Sequence, residues 1–199
     1  KVPAEPAAAA LFSSPNFAGT NAAGSCLLVN YRYWSMHLAT FKGYKMLTLY
    51  DNPFSTNAQK VRLVMAEKDI AFESIILDLQ AGDQFDPDFL KISPNNRMPA
   101  IIDHDVDGDP ISLFESGAIL LYLAEKTGRF IPNSVIGKKE AMEWLFWQTG
   151  NQGPMAGQLS HFVNYAPNFP GDHSYSETRY KNEYDRLLGV MDNVLSERE

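Results

Sequence analysis

SPNNRMPAIIDHDVDGDPISLFESGAILLYLAEK, residues 93–126, places the signals for two strands, a tight turn and a helix one after another. Pro94-Asn95-Asn96 is a turn signal. Met98-Pro99 leads into the short apolar run Ala100-Ile101-Ile102, which ends in Asp103-His104. Asp107-Gly108-Asp109 has hairpin-turn chemistry, and Ile111 to Phe114 reads as a second short strand. Glu115-Ser116-Gly117 then opens a run, Ile119 to Leu123, that is apolar on every side, as in a buried helix. Proline at the entrance of the first strand cannot donate to its ladder, and a cis Met98–Pro99 bond is affordable because the second residue is proline.

Both ends of this unit have chemical uses. A bend at Met98-Pro99 presents the backbone N–H and C=O of Met98 to an extended peptide. The first N–H groups of the following helix have no partners within it and carry the positive end of its dipole, so a carboxylate suits them. Glu115 beside them suits an ammonium. Neighbouring sites for a carboxylate, an ammonium and a peptide backbone describe a small peptide with a free amino-acid end. A hairpin packed on a core helix, with an ordinary capping serine, satisfies the same spacing.

Upstream, Met46–Tyr50 reads as a strand, Asp51–Asn57 as a loop of turn and capping residues, and Ala58–Lys68 as a helix with Ala58, Val61, Val64 and Met65 on one face. Phe72–Leu77 reads as a parallel second strand, and Pro87–Ile92 as a short helical turn. The order βαβ–α–ββα is that of a thioredoxin-like fold. Downstream, residues 126–137 form a linker with Gly128, Pro132 and Gly137, followed by a helix over Lys138–Gly150. Gly153-Pro154 is expected to kink or break it, because proline removes a donor and clashes with the preceding turn. A strongly amphipathic helix is expected from Tyr175 onward, with Tyr180, Tyr184, Leu187, Leu188, Met191, Val194 and Leu195 on one stripe.

Composition narrows the function. The 199 residues are 45% hydrophobic, enough for a real core, and hold a single cysteine, Cys26, which excludes an internal disulfide or a Cys-x-x-Cys pair. One cysteine also fits a reducing compartment. The net charge of −7 disfavours nucleic acid as a partner, and no apolar stretch approaches a membrane span. Residues 1–45 hold four basic residues and one acid, leaving 13 basic and 23 acidic beyond them. That acid-poor, hydroxylated segment is compatible with an organelle transit peptide, an upstream extension, or a translated artefact, and disorder is expected up to about Lys42. His37, His104, His161 and His173 show no metal-ligand spacing, and neither a nucleophile elbow nor a phosphate loop occurs.

NNRMPAIIDH (95–104) and SLFESGAILLYLAEKTG (112–128) resemble the glutathione-binding half of a glutathione transferase. WLFWQTGNQGPMAGQ (144–158) resembles the bacterial Nu class and its fungal nitrogen-regulator relatives in particular. The resemblance runs from about Met46 to Glu199. It implies a thioredoxin-like domain over 46–127, a linker over 128–137 and a partial all-α domain over 138–199, shorter than the family's helical domain and with its last helix partly uncovered.

The resemblance also implies chemistry: reduction of disulfides by bound glutathione first, transfer of glutathione to a small electrophile second. No metal is implied; a homodimer and a cytoplasmic setting are. A non-catalytic regulatory module of the same fold is the alternative. The glutathione thiolate is the nucleophile. Asn57 matches the asparagine that contacts the glutathione sulfur, assisted by Ser55 or, alternatively, Thr56, in a loop one residue longer than in the bacterial members. An asparagine there is also a natural helix N-cap. Glu115 and Ser116 match the pair that holds the γ-glutamyl end, Met98 before Pro99 the backbone partner of the tripeptide's cysteine, and Arg97 and Gln84 polar contacts at the glycine end. Early tyrosines serve other classes, but Tyr50, at a strand end, is expected to pack. His161, Phe162 and Tyr165 are candidates for a second-substrate pocket, with helix packing an equal explanation.

Overall fold

The computed structural model describes residues 46–198, and the expectations for residues 1–45 lie outside that range. β1 (Leu47–Asp51) leads through a loop to α1 (Thr56–Glu67) and β2 (Phe72–Ile76). A 3₁₀ turn at Asp83–Phe85 precedes α2 (Pro87–Ile92), and β3 (Ala100–Asp103), β4 (Ile111–Phe114) and α3 (Ser116–Thr127) follow. The strands form one sheet in the order β2-β1-β3-β4, with β1 parallel to β2 and antiparallel to β3, and β3 antiparallel to β4. This is the mixed thioredoxin-like sheet that the sequence order implies.

Alternation fixes β1: Leu47, Leu49 and Asp51 are buried, and Thr48 and Tyr50 are partly covered. α1 buries Ala58, Val61 and Met65, the face that its apolar spacing marks out. It begins two residues earlier than the apolar pattern suggests, because Ser55 caps it: Ala58 N–H donates to Ser55 Oγ at 3.2 Å. Asp86 caps α2 in the same way, accepting from the N–H groups of Asp88 and Phe89, with Pro87 at the first helical position. Leu77, Phe89 and Ala100 form a buried cluster against which Tyr50, Ile92 and Met98 pack. The Tyr50 ring lies 5.4 Å from that of Phe89, and burial pushes its phenol above the ordinary value, with Asp88 adding to the shift. Tyr50 is therefore a packing residue. His104 is held to the sheet at 3.0 Å from Thr48 Oγ1.

One charge is buried at the end of β1. The Asp51 carboxylate, 3% exposed, takes both oxygens to Arg62 Nη1 at 2.6 Å, the arginine being 22% exposed. Asn52 ties the loop that follows: its Oδ1 accepts from Phe54 N–H, its Nδ2 donates to Leu77 C=O, and its carbonyl accepts from Ser55 N–H.

Contact density divides the chain into two units after Ile119. The second contains α4 (Val135–Trp147), a π-helical stretch at Gln148–Gln152, α5 (Gly153–Asn164), a 3₁₀ turn at Ala166–Asn168 and α6 (Ser174–Ser196). Ser134 caps α4, accepting from Gly137 N–H. At Gly153-Pro154 the chain does not leave helical geometry. Gly153 N–H reaches Gln148 C=O across a wider π turn, so the missing donor of Pro154 falls where the α-ladder is already re-registered. α6 packs along α5, with the Phe162 and Tyr180 rings stacked at 5.5 Å. Its stripe is only partly covered: Leu187 is buried, while Leu188 and Met191 are each 37% and Leu195 58% exposed.

The Asp51–Arg62 pair makes a stability prediction. Arg62→Met leaves a buried carboxylate unpaired and is expected to cost about 3–5 kcal/mol, whereas Asp51→Leu combined with Arg62→Met recovers most of that loss. Urea unfolding of the two variants checks this. Equal losses in both would show that the pairing itself carries little.

Candidate functional site

The turn from β4 into α3 sets the site. Glu115 sits at φ +68°, in the left-handed region that costs a residue with a side chain about 1–2 kcal/mol. That single residue reverses the chain so that α3 starts at once with Ser116, and Ile119 N–H closes the first helical bond on Glu115 C=O. The N–H groups ahead of it are the ones a helix leaves unpaired at its positive end. Opposite stands the loop 93–97. Ser93, fully buried, donates its hydroxyl to Arg97 C=O at 2.7 Å and accepts from Arg97 N–H at 3.4 Å. Asn96 turns this loop at φ +47°, and the Met98–Pro99 bond that ends it is cis.

These parts border an open cleft lined by Asn57, Ser93, Asn95, Arg97, Met98, Pro99, Phe114, Glu115 and Ser116. Six residues picked out by sequence therefore meet: Asn57, Arg97, Met98, Pro99, Glu115 and Ser116. The cleft is amphoteric: Glu115 and the start of α3 line it together with Arg97 and Asn57. Lys60, one turn along α1 from Asn57, is half-buried; burial pushes its ammonium down and the nearby Glu115 carboxylate partly offsets this.

Six further candidates stand apart from the cleft, and helix capping separates Asn57 from its neighbours Ser55 and Thr56. Asn57 is the second residue of α1 and is exposed, so the capping role falls to Ser55 and leaves the Asn57 amide for the cleft. Ser55 spends its oxygen on the cap, and neither it nor the exposed Thr56 lines the cleft. Gln84 donates its Nε2 to Leu79 C=O within its own loop at 3.4 Å, does not line the cleft, and keeps a buried Oε1 with no partner. His161, Phe162 and Tyr165 form an aromatic cluster within the second unit, His161 lying 5.2 Å from Phe162 and 6.1 Å from Tyr165. Phe162 packs on Tyr180 and His173, while His161 and Tyr165 are exposed. Sequence reasoning missed Ser93, Asn95 and Phe114. A Ser-x-Asn pair flanking a turn before Met-Pro was the available signal, since such residues fold a loop on itself.

The fold and cleft define a thioredoxin-like domain with an open, partly charged cleft where β4 turns into α3. Comparison with known proteins agrees. Residues 45–125 match the family described as "Glutathione S-transferase, N-terminal domain". Disulfide-bond oxidoreductase YfcG of Escherichia coli K12 is 46% identical over 153 residues, which is 75% of this chain and 69% of that protein. Protein URE2 of Meyerozyma guilliermondii is 36% identical over 157 residues, 76% of this chain but 50% of that protein. Among solved structures, a glutathione transferase from Pseudomonas putida with one glutathione disulfide bound per subunit superposes with a TM-score of 0.73 at 38% identity, covering 84% of this chain and 70% of that one. The chain belongs to the glutathione transferase family.

The strain at Glu115 is testable without a ligand. Glu115→Gly is expected to be more stable than Glu115→Ala by about 1 kcal/mol, reversing the usual preference, because glycine adopts a positive φ freely. Thermal or urea unfolding of the pair checks it, and alanine proving the more stable would remove the strain argument.

Proposed function

We propose that the chain is a glutathione-dependent disulfide-bond oxidoreductase of the Nu class, with transfer of glutathione to small electrophiles as a secondary activity. The observation that carries this is the gathering of Asn57, Arg97, Met98, Glu115 and Ser116 around one cleft at the start of α3. In this reading the γ-glutamyl carboxylate lies on the first N–H groups of α3 and Ser116, and its ammonium on Glu115. Backbone groups of Met98 pair with the cysteinyl residue, and Arg97 takes the glycine carboxylate. Asn57 then donates its side-chain amide to the sulfur. A neutral donor near a helix start favours thiolate over thiol.

The bound thiolate attacks one sulfur of a substrate disulfide, forming a mixed disulfide and expelling the other sulfur as a thiolate. A second glutathione thiolate attacks the glutathione sulfur of that mixed disulfide, releasing glutathione disulfide and the second substrate thiolate. Two glutathiones are oxidised, one disulfide becomes two thiols, and the two glutathione protons end on those thiols. The protein supplies orientation and charge stabilisation. The name of the bacterial relative and the glutathione disulfide in the Pseudomonas putida structure support this order of activities.

Residues 144–158 support the Nu class, and a single cysteine in 199 residues fits a reducing, cytoplasmic setting. We further infer a homodimer, with the exposed His161 and Tyr165 as second-substrate contacts. The fungal relatives named URE2 favour a second reading, a regulatory module that binds glutathione without turning it over.

Asn57→Ala separates the two readings. In the enzyme it is expected to lower kcat/KM for disulfide reduction about 10- to 100-fold, the scale of one lost donor to a developing or stabilised anion, while glutathione binding persists. Steady-state kinetics with a small disulfide checks this. Unchanged turnover would remove Asn57 from the chemistry, and binding without turnover in the wild type would favour the module.

A further inference from the structure

Asn95 lines the same cleft as Glu115, and its Nδ2 donates to Glu115 Oε1 at 3.3 Å across 20 residues of sequence. Both backbones are preset for this meeting. Asn95 rides on the turn that Ser93 closes onto Arg97 and whose Asn96 N–H donates to Ser93 C=O at 2.9 Å. Glu115 is fixed by its left-handed conformation at the head of α3. An ammonium carries three donors and is satisfied only by acceptors arriving from several directions. One carboxylate with an oxygen already committed to Asn95 supplies a remaining oxygen, and the Asn95 side chain held at that carboxylate carries an amide oxygen as a further acceptor.

We propose that Asn95 is a specificity residue for the amino end of the bound peptide: its Nδ2–H orients the Glu115 carboxylate, and its Oδ1 supplies a second acceptor for the ligand's α-ammonium. The inference rests on the reading that the cleft binds glutathione. It makes the site selective for a free amino group over an acylated or absent one, because a ligand without that group leaves the Asn95–Glu115 pair facing nothing that it can bind. Asn95 is exposed and lies outside the buried core, so its variants are expected to fold.

The test is calorimetric titration of wild type and Asn95→Ala with glutathione and with a glutathione analogue lacking the α-amino group. Asn95→Ala is expected to weaken glutathione about 5- to 20-fold, as for loss of a hydrogen bond to a charged group, and the analogue less than about 2-fold. In disulfide reduction the same variant raises KM rather than lowering kcat. A second comparison covers an analogue too weak to titrate: in a Glu115→Ala background, adding Asn95→Ala is expected to weaken glutathione by a smaller factor than in wild type, because the orienting half of its role is already gone. Equal losses for both ligands, an undiminished effect in the Glu115→Ala background, or glutathione bound as tightly as by wild type would each overturn the role of Asn95. Wild type failing to bind glutathione would overturn the underlying reading instead.

Discussion

A glutamate at a positive φ joins the last strand of the sheet to its following helix, and the geometry of the cleft hangs on it. Were Glu115 extended, the chain would run on past the sheet edge and the helix would begin elsewhere. Held left-handed, it places a carboxylate and the unpaired N–H groups of α3 within one small volume, opposite charges for the two ends of one amino acid. Strain of this kind persists only where the surroundings over-determine it. Here Ile119 N–H on the Glu115 carbonyl and Asn95 on its carboxylate do so.

The opposing wall is built by the same economy. Ser93 is fully buried and uses its hydroxyl twice on Arg97. That closes the loop and delivers Asn95, Arg97 and Met98 to the cleft side by side. On the third side, Asn52 and the Asp51–Arg62 pair hold the loop before α1, so that Asn57 emerges at a fixed point in the first turn of the helix. None of these supports touches a ligand in the proposed reading. They decide where the groups that do so point.

Much of this was legible in the sequence because strands and helices announce themselves by period. Ala100–Asp103, Ile111–Phe114 and the run opening at Ser116 fall where a short apolar run, Asp-Gly turn chemistry and an all-round apolar helix placed them. The start of α1 did not, since Ser55 and Asn57 are both good caps and period says nothing about which is used. At Gly153-Pro154 one α-helix gives way to the next through a π turn that absorbs the missing donor, a form of interruption that a proline rule does not specify. Asn95 escaped notice because this loop residue's role depends on Glu115, 20 positions away. The resemblance to glutathione transferases supplied the roles of Asn57 and Arg97, which spacing alone left open.

The central claim is that the cleft holds glutathione with its sulfur as thiolate. The direct measurement is the pH dependence of thiolate absorbance near 240 nm for glutathione bound to the protein, corrected for protein alone and compared with free glutathione. The account predicts that the bound thiol ionises well below the ordinary cysteine value of about 8.5, and that Asn57→Ala moves it back toward that value. Bound glutathione titrating like the free tripeptide would contradict it.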